Sequence, residues 1–208
     1  MPIDEPNDDT VLPWWRSPLN VVLALVVVLM AAVGIGYAVG GSASELSHND
    51  VDTGFLQDMR IHHEQAVVMS LVYLDAAPDG RRVLRDIARE IVTAQSTEIG
   101  RMVQMLRLFG AAETNESDVA MAWMDMPVPL ESMTGLATDA ELESLRRATG
   151  PDADSIFASL MIAHHDGGIH MAEYAIDHAD NAEVVAMARS MVKSQTSEVR
   201  ELKKMMGS

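Results

Sequence analysis

A chain of 208 residues holds one ordinary domain, or a membrane segment followed by a domain of about 150 residues, and is too short for two large lobes. Apolar residues make up 48% but aromatics only 4%, so the core must draw on Ala, Val, Leu, Ile and sixteen Met, which suits packed helices better than a β-sandwich. A net charge of −16 repels phosphate backbones and argues against nucleic acid as a partner, while the absence of Cys excludes disulfides, thiolate zinc sites, iron–sulfur clusters and Cys nucleophiles.

Residues 1–17 read as an acidic tail (Asp4, Glu5, Asp8, Asp9) on the cytoplasmic side. From 18 to 41 no side chain is charged, and at the helical rise this stretch exceeds a bilayer core, so it is expected to be a single transmembrane anchor. A cleavable signal peptide with Ala38-Val39-Gly40 as its small-residue site is the alternative, disfavoured by the length of the apolar run. Trp14 and Trp15 sit where an interfacial belt would lie, and Arg16 beside them places the N-terminus in the cytoplasm and the rest outside the membrane. Residues 42–49 read as a linker, entered through the Gly/Ser stretch from Gly40 to Ser44.

The remainder, 50–208, repeats itself. Met59-Arg-Ile-His62-His63-Glu64 matches Met161-Ile-Ala-His164-His165-Asp166 at an offset of 102, and Met69 matches Met171 at the same offset. Downstream, Arg89 with Gln95-Ser-Thr97-Glu98 matches Arg189 with Gln195-Thr-Ser197-Glu198 at an offset of 100. Each copy predicts a helical hairpin: 50–76 with 81–109, broken at Pro78-Asp79-Gly80, then 151–178 with 182–206, with Pro151 at a first helical position and Asp180 with Glu183 as a capping box. The fold expected is all-α: a transmembrane helix followed by a four-helix bundle made of two repeated hairpins, with halves at about 50–110 and 151–206. The Met-rich connector 111–150 holds Met121, Trp123, Met124 and Met126, and Thr138-Asp-Ala-Glu141 opens a short helix over 139–148.

At about 100° per residue, Met59, His62, Ala66 and Met69 share one narrow arc, with His63 beside it. Met161, His164, Gly168 and Met171 repeat that arc, and His178 extends it. Gln95, Glu98, Met102 and Met105 form a stripe on the second helix, and Gln195, Glu198, Leu202 and Met205 form its counterpart on the fourth. A Met stripe alone would be flexible core filling. Two His-His pairs at equivalent positions are another matter, because four buried imidazoles without partners or a metal would be costly. Glu98 and Glu198 read either as metal ligands or as carboxylates that orient an imidazole N–H. Thioether beside imidazole points to copper, Cu(I) above all, with silver able to enter the same site; zinc, through His and Glu, is the weaker candidate. A di-iron or di-manganese centre would need Glu-x-x-His on inner helices, and that spacing occurs only at Glu45 to His48.

The pattern Asp52-x-x-Phe55-x-x-x-Met59-x-x-His62-His63-x-x-Ala66-Val67-x-Met69 followed by Gln95-x-x-Glu98, with a second copy from Phe157 through Met161, His164-His165 and Met171-Ala172, resembles the bacterial domain-of-unknown-function family numbered 305. Trp123 before a Met- and Pro-containing connector fits the same pattern, and the resemblance covers about residues 50–206. It implies a ferritin-like helical fold and, as for some exported members, binding of copper or silver, with Met59, His62, His63, Met69, Met161, His164, His165 and Met171 at the motif positions. Ser70 and Gly168 depart from the pattern, and His170 and His178 have no counterpart in the first half.

The function expected is therefore a membrane-anchored, extracytoplasmic metal-binding protein for copper sequestration, with Met59, His62, His63, Met69, Glu98, Met102, Met161, His164, His165, Met171 and Glu198 as candidate ligands. The alternatives are a ferritin-type, metal-dependent oxidoreductase, with iron or copper as its redox metal, and an accessory subunit docked on a larger membrane complex. No nucleophile triad, phosphate loop or acid/base pair stands out, so no catalytic residue is named.

Overall fold

The computed structural model describes residues 13–40 and 47–207; most of the acidic tail and of the expected linker lie outside the described residues. The chain divides into two units, Met1–Ser44 and Glu45–Ser208. In the first, a turn of 3-10 helix at Trp14–Arg16 precedes helix α1, Pro18–Gly40. Its described side chains run to Gly34 and are mostly exposed, Leu19 at 68% and Val33 at 65% among them. Among the described residues no helix is long and apolar enough to cross a membrane. The span expected over 18–41 is thus not shown.

The second unit is built from four long helices: α2 (Asp50–Ala76), α3 (Arg82–Leu108), α5 (Gly150–His178) and α6 (Ala182–Met206), with the short α4 (Asp139–Arg147) in the connector. α2 packs on α3 and α5 on α6 as two hairpins, and α2 against α5 joins them, while α3 and α6 barely touch. The connector also carries a pair of two-residue antiparallel strands, β1 (Val119–Ala120) and β2 (Val128–Pro129), that the sequence reading did not foresee.

Local chemistry sets the helix ends. Asn49 and Asp52 form a capping box at α2, and Thr138 with Glu141 forms the one expected at α4. At α6 the cap is Asn181, whose side chain accepts from the N–H groups of Glu183 and Val184. The capping box expected from Asp180 is not formed, because Asp180 lies one residue too early and Asn181 is the last residue in extended conformation. The Asp52 carboxylate then accepts from the N–H groups of Asp180 and Asn181 at 3.1 Å each. Asp154, which stands 102 residues later, accepts from Arg81 N–H at 3.1 Å and from Tyr73 Oη at 2.6 Å. Each hairpin's first helix therefore supplies a buried carboxylate to the start of the other hairpin's second helix.

The core falls into two apolar clusters. One gathers Phe55, Met59, Met102, Leu106, Met171 and Met187 with the connector's Met121, Met124 and Met133. The other gathers Met69, Tyr73, Leu84, Ile91, Phe157, Met161 and Leu202. The residues in mid-helix between them are polar: His62 and His63 on α2, Gln95 on α3, His164 and His165 on α5, and Gln195 on α6, all buried. A polar layer thus interrupts an otherwise apolar interior.

Candidate metal centre

α2 and α5 run antiparallel, as the pairing of Asp52 with the start of α6 and of Tyr73 with Asp154 requires. That brings His62 and His164 face to face at the middle, with ring centroids 3.7 Å apart and planes tilted by 34°. The outer rings lie 6.5 Å (His62 to His63) and 6.1 Å (His164 to His165) from their inner neighbours. His63 Nε2 sits 2.8 Å from a Glu98 carboxylate oxygen, and His165 Nε2 sits 2.6 Å from one of Glu198. All four imidazoles are fully buried, while the side chains of Glu98 and Glu198 remain 19% and 28% exposed.

These partners fix protons. A carboxylate only accepts, so the Nε2 atoms of His63 and His165 carry hydrogen and donate it to Glu98 and Glu198. A carbonyl only accepts as well, so His164 Nε2, 2.9 Å from the His62 carbonyl oxygen, is also a donor. In a neutral imidazole the other nitrogen is then a bare lone pair. The Nδ1 atoms of His63, His164 and His165 are buried without a hydrogen-bond partner. Neither ring nitrogen of His62 meets hydrogen-bond geometry, although the Thr134 backbone is near enough to oppose the shift in its pKa. Burial first, and then the neighbouring imidazoles, hold His62 and His164 well below the ordinary histidine range, so both stay neutral.

Two further features shape the layer. Gln95 and Gln195 are buried with side-chain oxygens unpaired, and a methyl group on Gly168 would lie 2.6 Å from the Gln195 oxygen and 3.1 Å from His62 Cε1. The missing side chain at Gly168 is what admits both groups. The connector closes over the same region: Gln65 exchanges two hydrogen bonds with the Ala137 backbone at 2.8 and 2.7 Å, and Thr134–Gly135 lies directly on α5 at Gly167.

Of the candidate ligands, the structure brings together His62 with His164, His63 with Glu98, and His165 with Glu198. Met59, Met69, Met102, Met161 and Met171 are all fully buried, but they divide between the clusters on either side of the histidine layer: Met59, Met102 and Met171 in one, Met69 and Met161 in the other. His178 leaves the stripe, stacking on Tyr174 at the surface, and His170, Glu64 and Asp166 are exposed. Among the described residues no group of three or more His, Asp or Glu is disposed to hold a metal ion. A metal here would rest on imidazoles in small number, with the unpaired amide oxygens of Gln95 and Gln195 in the same layer and Met side chains in the clusters on either side.

Sequence reasoning passed over Asp58. Its buried carboxylate accepts from Met121 N–H at 2.7 Å, Trp123 Nε1 at 2.8 Å and Asn115 Nδ2 at 2.7 Å, pinning the connector where Met121 has φ of 60°. The acidic position one residue before Met59 was visible, but its partners are some sixty residues away in a segment without periodicity.

The sequence model of the family described as domain of unknown function (DUF305) matches residues 52–206. No functionally curated protein matches the chain. Among solved structures, a DUF305 protein from Streptomyces coelicolor, inferred to be secreted, is 36% identical with a TM-score of 0.69, over 76% of this chain and 92% of that one. A DUF305 fragment from Deinococcus radiodurans is 27% identical, TM-score 0.65, over 76% and 97%. CopM in its Cu(I)-bound form is 25% identical, TM-score 0.55, over 74% and 94%.

Proposed function

The chain belongs to the DUF305 family, and on that premise we propose that it is an extracytoplasmic protein that binds Cu(I), or Ag(I), in the histidine layer at the centre of a ferritin-like bundle. The observation that carries the reading is the set of buried Nδ1 atoms on His63, His164 and His165 that have no hydrogen-bond partner, while the Nε2 atom of each ring is held by a fixed acceptor. Holding an imidazole by one nitrogen while leaving the other free is how proteins prepare histidine for metal. The neutral state of His62 and His164 removes proton competition. The likeness to CopM, a protein seen with Cu(I), supports the same chemistry.

The choice of metal follows from donor type. Zinc and iron centres draw several ligands from His, Asp and Glu, and no such group occurs among the described residues. Soft monovalent Cu(I) and Ag(I) accept few ligands and favour neutral nitrogen and thioether sulfur. His62, His63, His164 and His165 are the proposed nitrogen donors; Met59, Met69, Met102, Met161 and Met171 supply thioethers on both sides of the layer; Glu98 and Glu198 orient imidazoles. Bound there, the metal would be held away from water and oxidants, which suits sequestration. For a ferritin-type oxidoreductase or an accessory subunit no specific observation speaks. Helix α1, with its exposed apolar side chains, is proposed as the membrane anchor, which places the N-terminus in the cytoplasm and the bundle outside.

The test is Cu(I) titration of the full-length chain in mild detergent against a competing chelator. Tight binding that weakens by at least about tenfold on replacing His164 and His165 with Ala supports the proposal, that factor being about 1.4 kcal/mol. Binding unchanged by those substitutions would overturn it, and steady oxidation of Cu(I) or Fe(II) above a metal-only control would favour an oxidoreductase.

A further inference from the structure

Within the polar layer, Glu98, His63, His62, His164, His165 and Glu198 follow one another in succession, with Gln95 and Gln195 buried beside them. Their successive contacts are 2.8 Å from Glu98 to His63, ring centroids 6.5, 3.7 and 6.1 Å apart through the four imidazoles, and 2.6 Å from His165 to Glu198. Only the two ends meet water. The imidazoles are fully buried, the cores on either side are apolar, and the connector covers the layer at Gln65 and Gly167.

We infer that Glu98 and Glu198 are two portals, through which a soft monovalent cation reaches the buried imidazoles from opposite faces of the bundle. This rests on the metal-binding reading above and adds the route. A partly exposed carboxylate attracts a cation from water, and its hydrogen bond to the imidazole behind it makes a polar seam leading inward. Swinging one Glu side chain aside exposes a histidine without unpacking either apolar cluster.

The portals differ in exposure. Glu98 lines a shallow surface groove with Arg89, Glu90 and Arg101, where Arg89 is paired with Asp86, so opposite charges balance there. Glu198 is the more exposed carboxylate, so its portal carries the larger share of the traffic.

Glu→Gln substitutions remove charge while keeping an oxygen that can accept from Nε2–H. Transfer of Cu(I) to the full-length chain from a coloured Cu(I)–chelator complex then reads the rate of loading. We expect Glu198→Gln to slow loading about threefold, Glu98→Gln less than about twofold, and the double variant about tenfold, with dissociation slowed in step and Kd within about threefold, because a group met only in passage alters entry and exit alike. A double variant that loads at the wild-type rate, or one whose Kd weakens by as much as its loading slows, would overturn the inference; in the latter case the carboxylates would be ligands. A metal-free measurement keeps this apart from the binding proposal. In the apo chain, deuterium exchange at the imidazole Cε1–H should be faster at His63 and His165 than at His62 and His164. If the inner pair exchanges as fast as the outer pair, the route is wrong whether or not copper binds.

Discussion

The two hairpins carry the same motif, yet they meet at a centre that is not symmetric. Asp52 and Asp154 cap across to the opposite hairpin, and His63–Glu98 and His165–Glu198 match to within a few tenths of an ångström. At equivalent positions nearer the middle the copies diverge: the first has Gln65 where the second has Gly167, and Ala66 where the second has Gly168, and His164 has the His62 carbonyl as partner while the His62 ring has the Thr134 backbone nearby. The cause is the connector. A single segment joining two copies can lie across their seam in one way only, so one copy must hold it with a side chain while the other makes room. Duplication supplies the frame, and the joining segment breaks it where the site forms.

The largest test of that comparison is Gly167→Ala. A methyl group there would sit 2.4 Å from the Thr134 carbonyl oxygen, which is backbone and cannot simply turn away. Urea denaturation should show a loss of about 3–4 kcal/mol, against about 1–2 for Gln65→Ala, which forfeits two hydrogen bonds at the matching position. Equal losses would mean that the connector leans on both copies alike.

Next come the cross-caps. Asp52→Ala strands the N–H groups of Asn49, Asp180 and Asn181 and should cost about 3 kcal/mol, with Asp154→Ala, which strands the Tyr73 hydroxyl and the start of α3, about 2. Burial first, and then the Asp154 carboxylate, hold the Tyr73 phenol well above its ordinary range, so in Asp154→Ala the phenol should titrate lower in a spectrophotometric titration. The reverse ranking of the two Asp variants would remove that asymmetry.

Acid should act through the inner pair. The folded pKa values of His62 and His164 are depressed below 6.5, so beneath that pH the unfolded chain binds more protons and stability falls with falling pH. The contribution is whole above pH 6.5 and declines towards the folded values, by about 2 kcal/mol between pH 6.5 and about 5.5 for two groups. His62→Gln and His164→Gln should each remove about half of this dependence. If one variant removes all of it, the two rings do not titrate as equivalents.

The smallest expected change in stability is at Gly168. Gly168→Ala restores the residue of the first copy and gains helix propensity, but it pushes on the Gln195 oxygen and His62, so stability should stay within about 1 kcal/mol while Cu(I) affinity falls. Unchanged affinity would show that this notch is not used.

Helix boundaries were legible because apolar period, Pro and turn residues all agreed: α2 was read at both ends, and α4 came from Thr138 and Glu141 alone. The pairing of His63 with Glu98 and of His165 with Glu198 was open in the sequence only as a choice between ligand and orienting partner; spacing cannot tell which atom faces which. The division of the methionines was not legible either. Met59 and Met69 share an arc on α2, but they lie on opposite sides of the histidine layer, and an angle around a helix carries no information about height along it. Gln65, Asp58 and Gly167 depend on the connector, which has no period to read.

The central claim is that Nδ1 atoms in the histidine layer receive the metal. Nitrogen-15 spectra of histidine-labelled chain, recorded as Ag(I) is added, test it directly. The account predicts that the Nδ1 resonances of His63, His164 and His165 move on silver binding, with Nε2 of His63 and His165 keeping their hydrogen-bonded shifts. Silver that moves only the exposed His170 and His178, leaving the four buried rings as they were, would contradict it.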